Sequence, residues 1–119
     1  MPISPDVRER ARGFLPARVE IRYIFPASRN ESSFFVFAVT DAAVTVLVNR
    51  LLSRNRPKGI WAVFPRNVRI GPVDTHLVPT FHFGGHTFEV DDEYVSVINA
   101  CDAELQGAAS LPPDPLPDL

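Results

Sequence analysis

Gly84-Gly85 lies between two segments that alternate in polarity, Leu77–Phe83 and His86–Val90. No other feature of the chain constrains its fold as tightly. Two consecutive glycines accept the positive φ angles of a two-residue hairpin turn. A turn of that length also fixes the strand register. Phe83 then opposes His86, His82 opposes Thr87, and Phe81 opposes Phe88. Phe81, Phe83 and Phe88 share one face of the hairpin, while Thr80, His82, Thr87 and Glu89 share the other. The aromatic face has to be covered, so an antiparallel sheet needs further elements packed against it.

The rest of the chain supplies them. Ser4 fits a helix N-cap, Pro5 the first helical position and Gly13 the end of a short N-terminal helix. Residues 18–25 alternate, with Val19, Ile21, Tyr23 and Phe25 on one side, and read as a half-buried strand. Residues from Pro26 to Ser32 read as a polar loop. Residues 33–40 are apolar on both faces, as expected of a central strand covered on both sides.

Residues 41–54 read as a helix. Val44, Leu47, Val48, Leu51 and Leu52 recur at helical spacing, Asp41 fits its cap, and Arg50 and Arg54 suit its negative C-terminal end. Residues 60–64 form a short strand, 67–70 a further extended piece, and Gly71-Pro72 a turn. A last helix spans 92–106, with Tyr94, Ile98, Cys101 and Leu105 on one face and Gly107 as its C-cap.

The expected class is therefore α+β. A mostly antiparallel sheet of about five strands carries two main helices, with a short N-terminal helix and a Pro-rich C-terminal tail. Residues 1–110 make a single domain, and residues 111–119, with four prolines, make a flexible tail.

Charge is segregated along this chain. Residues 1–73 hold all twelve Lys/Arg and five Asp/Glu, and residues 74–119 hold nine Asp/Glu and no Lys/Arg, so the two parts are net +7 and −9. Within the positive part, Ala42 to Val73 contains Arg50, Arg54, Arg56, Lys58, Arg66 and Arg69 and no acid. Within the negative part, Glu89, Asp91, Asp92 and Glu93 form a compact acidic group. Both placements suit helix dipoles, and both make candidate docking surfaces.

Catalytic constellations are sparse. His82 and His86 have a chelating spacing only on a helix; across a two-residue hairpin they point to opposite sides, so no metal site is expected. Gly84-Gly85 joins two strands rather than opening a helix, so it is no phosphate loop. Cys101 falls on the apolar face of the last helix and reads as a core residue rather than a nucleophile beside Asp102. No cofactor motif is present. His82 with Glu89 is the one acid/base pairing that the hairpin geometry allows.

These features favour a small non-enzymatic interaction module. It reads as an accessory or inhibitor protein, with the general profile of phage or plasmid counter-defence proteins, that docks on a larger protein partner. The partner is expected to belong to a nucleic-acid-handling complex and to meet Glu89, Asp91, Asp92 and Glu93, or the basic group Arg50, Arg54, Arg56, Lys58, Arg66 and Arg69. Two alternatives are direct nucleic-acid binding through the basic segment 50–69 and a small enzyme using His82 and Glu89. The single cysteine and the lack of a leader-like start point to the cytoplasm, and no apolar stretch is long enough for a membrane span. Apolar surface on residues 33–39 and on Phe81, Phe83 and Phe88 leaves room for a homodimer.

Overall fold

The computed structural model describes residues 3–50 and 56–110, with side chains described up to Leu105. The chain opens with helix α1 (Pro5–Arg12), followed by strands β1 (Tyr23–Arg29), β2 (Ser33–Val39), β3 (Ala43–Asn49) and β4 (Pro57–Pro65). The hairpin β5 (Thr80–Phe83) and β6 (His86–Glu89) comes next, then a 3₁₀ turn (Asp92–Tyr94) and helix α2 (Val95–Ser110). The class is α+β with one six-stranded antiparallel sheet, ordered β4-β3-β2-β1-β6-β5. One more strand is present than the sequence suggested.

The extra strand comes from the segment read as a helix. Residues 43–49 form β3, paired to β2 on one side and β4 on the other. Val44, Thr45, Val46 and Val48 are β-branched, which favours the pleated backbone. The strand is buried on both faces, so its apolar residues show no alternation. Within such a run, Val44, Leu47 and Val48 match helical spacing by coincidence. Leu51, Leu52 and Arg54 lie outside the described residues. The sheet thus carries one long helix, α2, and one short helix, α1, instead of two main helices.

β1 continues past the position where the sequence suggested a loop. Pro26 lies inside it, paired with Val36. On its other side β1 meets β6 through one residue pair, Ser28↔Glu89. A proline is tolerated in a strand with so little ladder to interrupt on one edge. The chain then reverses at Asn30 and Glu31, both in the left-handed region (φ 53° and 59°), with the Ser32 N–H bonded to the Arg29 carbonyl at 3.2 Å.

β2 is the centre of the structure. Phe35, Phe37 and Val39 enter one core, with Phe25, Val44, Val46, Phe81, Phe83, Phe88, Tyr94 of the 3₁₀ turn and the α2 residues Ile98 and Cys101. Val36 and Ala38 enter a second core on the opposite face, with Leu47, Ile21, Ile24 and the α1 residues Val7 and Ala11. The two helices therefore cover opposite faces of the sheet. The Ser4 hydroxyl caps α1 by accepting the Val7 N–H at 3.4 Å.

In the larger core the rings pack mainly edge to face. Phe37 stacks on Phe25 at 4.9 Å and meets Phe81, Phe83 and Phe88 at 5.1–5.5 Å. Trp61 of β4 reaches His86 at 5.0 Å, and Phe64 reaches Phe83 at 4.6 Å. The β5–β6 hairpin thus bends over towards β4. Gly84 is required there: its φ is +58°, and a Cβ would stand 2.7 Å from the Phe64 ring. The hairpin register is the one that the sequence dictates, Phe83↔His86, His82↔Thr87 and Phe81↔Phe88.

Of the phenylalanines offered as a dimer surface, Phe34 is partly exposed and the others turn inward. Phe35, Phe37, Phe81, Phe83 and Phe88 are all buried within a single chain.

Candidate functional site: an acidic cleft at the joint of two strands

Because β1 and β6 share only Ser28↔Glu89, the sheet parts beside that pair and leaves a cleft of about 340 Å³. Its apolar lining comes from Pro26, Ala27, Phe34, Val78 and Val90. Three acidic residues line it from two stretches of chain: Glu31 on the β1–β2 turn, and Glu89 and Asp91, two residues apart, between the end of β6 and the 3₁₀ turn. No Lys or Arg lines it among the described residues. The exposed Val78 belongs to the lining, and its neighbour Leu77 is 85% exposed. Three carboxylates on a concave wall sum to a negative field that solvent screens less than on a flat surface.

Of the acidic residues expected from the sequence, Glu89 and Asp91 line this cleft. Asp92 is exposed and starts the 3₁₀ turn, and Glu93 is engaged with another residue. Glu31 is the member that sequence reasoning missed. Its position follows only once β1 is continued past Pro26 and the Asn30-Glu31 turn is recognised.

The basic group divides. Arg50, Arg56 and Lys58 are exposed around the β3–β4 connection, where the Arg50 N–H donates to the Arg56 carbonyl at 2.8 Å. Arg54 lies outside the described residues. Arg66 and Arg69 are turned to a structural task. The Arg66 side chain, 11% exposed, donates to the Cys101 carbonyl and to the Glu104 carboxylate, both at 3.1 Å. Arg69 lies 3.6 Å from Asp102.

These contacts belong to a seam along α2. Glu104 also accepts from Arg22 at 2.6 Å and from the Tyr23 hydroxyl at 2.7 Å. The Arg22 guanidinium and the Tyr23 hydroxyl, helped by Arg66, hold the Glu104 carboxyl down at about 2. Asp102, 6% exposed, accepts the Ile70 N–H at 2.9 Å and the Gly71 N–H at 2.7 Å. The Cys101 thiol is fully buried beside it, and desolvation pushes it up to about 11. A thiol in that state is a poor nucleophile at neutral pH.

Glu104 gives a pH prediction. Its folded-state value lies below the ordinary carboxylate range, so its contribution is complete above pH 4.5 or so and is lost as pH falls towards 2. Urea midpoints of the wild type and Glu104→Gln should differ most near neutral pH and converge at pH 2–3. A gap that stayed constant over this range would show that the carboxylate charge contributes nothing.

The histidines do not converge. His82 points to the exposed side, 2.9 Å from the Thr87 hydroxyl through Nδ1. His86 lies against Trp61 on the other side. Glu89 lines the cleft and His82 does not. Among the described residues, no group of three or more His, Cys, Asp or Glu could hold a metal ion. Among the described residues, no helix is long and apolar enough to cross a membrane. Comparison of the chain with protein-family models, curated proteins and solved structures finds no significant match.

Proposed function

We propose that the protein is a small interaction module, an accessory or inhibitor protein, that docks on a larger protein through the acidic cleft. One observation carries this reading: Glu31 from the β1–β2 turn and Glu89 and Asp91 from the end of β6 meet at one apolar-lined cleft, with no cation among its described lining. Such a cleft suits a basic side chain of the partner. The aliphatic stem of an arginine or lysine packs on Pro26, Phe34 and Val90, and its charged head meets the carboxylates. The exposed Leu77 and Val78 at the rim supply apolar contact beside the charge.

Partners captured from the native host test this reading. The triple variant Glu31→Gln, Glu89→Gln, Asp91→Asn should lose the captured partner, with affinity falling roughly tenfold to a hundredfold. The wild-type complex should weaken as salt is raised. Capture that is indifferent to all three substitutions would remove the cleft as the docking site.

A second reading, direct nucleic-acid binding, rests on the exposed Arg50, Arg56 and Lys58. It requires labelled DNA or RNA to bind at low salt and to be released by Arg56→Ala with Lys58→Ala. The loss of Arg66 and Arg69 to intramolecular ion pairs leaves this surface with fewer charges than the sequence suggested.

A further inference from the structure

We infer that β4 is a self-association edge, and that a second copy of the chain adds to it as an antiparallel β4–β4 pair. Among the described residues β4 ends the sheet and pairs only with β3. The row of backbone N–H and C=O groups along its outer side is a template for another strand. Two large apolar residues on this strand are exposed, Ile60 at 50% and Val63 at 58%.

The register shows why those two belong together. Ile60 opposes Leu47 and Val63 opposes Thr45, with one extra residue on β4 at the irregularity between them. Leu47 and Thr45 are two apart on β3 and share a face, so Ile60 and Val63 share that face too, although they are three apart. Their common phase also directs their backbone groups to the same edge. A two-fold axis between Trp61 and Ala62 then sets Ile60 opposite the partner's Val63 and Val63 opposite the partner's Ile60. The patch is self-complementary, as a two-fold interface requires.

Charge agrees with this arrangement. Lys58 is the only charged residue of β4. Two-fold antiparallel pairing places the two copies of Lys58 at opposite ends of the ribbon, so no like charges meet. Pro57 and Pro65 bound the strand and limit the pairing to the residues between them. Ile60 and Val63 lie on the face opposite the Phe37 core, so the pairing leaves that core undisturbed.

Sedimentation velocity of the full chain from micromolar to near-millimolar concentration tests the inference. The wild type should show a monomer–dimer equilibrium. Val63→Lys should raise the dissociation constant by about tenfold or more while the far-ultraviolet spectrum and thermal midpoint stay unchanged. The double variant Ile60→Cys with Val63→Cys should form a disulfide-linked dimer under mild oxidation, since the native Cys101 is buried. A chain that is monomeric throughout overturns the proposal, as does a dimer that tolerates Val63→Lys. A monomer that Val63→Lys destabilises also overturns it, by showing that the edge is covered from within the same chain.

Discussion

Truncation of Phe37 to alanine should lower the stability of the fold by about 4 kcal/mol, the middle of the range for a buried aromatic residue. Phe37 is fully buried on the central strand. It stacks on Phe25 and takes edge contacts from Phe81, Phe83 and Phe88. Its removal empties a position where β1, β2 and the β5–β6 hairpin meet, and the surrounding side chains relax only partly into such a space. A domain of this size has a total stability of roughly 5–15 kcal/mol, so the variant should stand close to its unfolding threshold. Urea denaturation at 25 °C measures the effect directly. A loss below about 1.5 kcal/mol would mean that the rings repack, and that the core is less tightly specified than the contacts imply.

Asp102→Ala should cost about 3 kcal/mol, for a different reason. Each carboxylate oxygen accepts one backbone N–H, from Ile70 and Gly71. Alanine leaves both donors without that acceptor in a buried setting. Asp102→Asn keeps one acceptor and turns an amide N–H₂ towards the other donor, so it should recover only part of the loss. Gly71→Ala should fail at the same place from the other side, because a Cβ there would lie 2.9 Å from the Asp102 carboxylate. Thermal midpoints that rank wild type above Asp102→Asn, and Asp102→Asn above Asp102→Ala, would support the clamp; equal midpoints for all three would dismiss it.

Local signals in the sequence were legible where a short stretch decides its own geometry. The β5–β6 register follows from Gly84-Gly85, and helix α1 from Ser4, Pro5 and Gly13. The two apolar faces of β2 announce a central strand, and its side chains do divide between two cores. Sequence reasoning failed where burial on both faces erases the period that distinguishes strand from helix. Residues 43–49 are the example: their β-branched content was the better guide than the spacing of Val44, Leu47 and Val48.

The candidate site was half legible. Glu89 and Asp91 stand out as an acidic group, but the cleft exists because of a sheet joint that no local pattern encodes. Glu31 joins it only through the turn that follows Pro26, the residue that argued for ending β1 early. Arg66 and Arg69 looked like surface charge because their partners, Glu104 and Asp102, lie more than thirty residues away. Asp102 itself, next to Cys101, suggested chemistry; its use is to hold the backbone at residues 70 and 71.

The Ser28↔Glu89 pair has a mechanical meaning. A single rung of backbone joins the four-strand meander β1–β4 to the β5–β6 hairpin, so the ladder does little to fix the angle between them. That angle is set by the rings of Phe25, Phe37, Phe81 and Phe88 packed beneath the joint. The mouth of the cleft is therefore gauged by the core. Substitutions that alter the volume at these rings should retune what the cleft accepts, although Phe37 and Phe81 are not part of its lining.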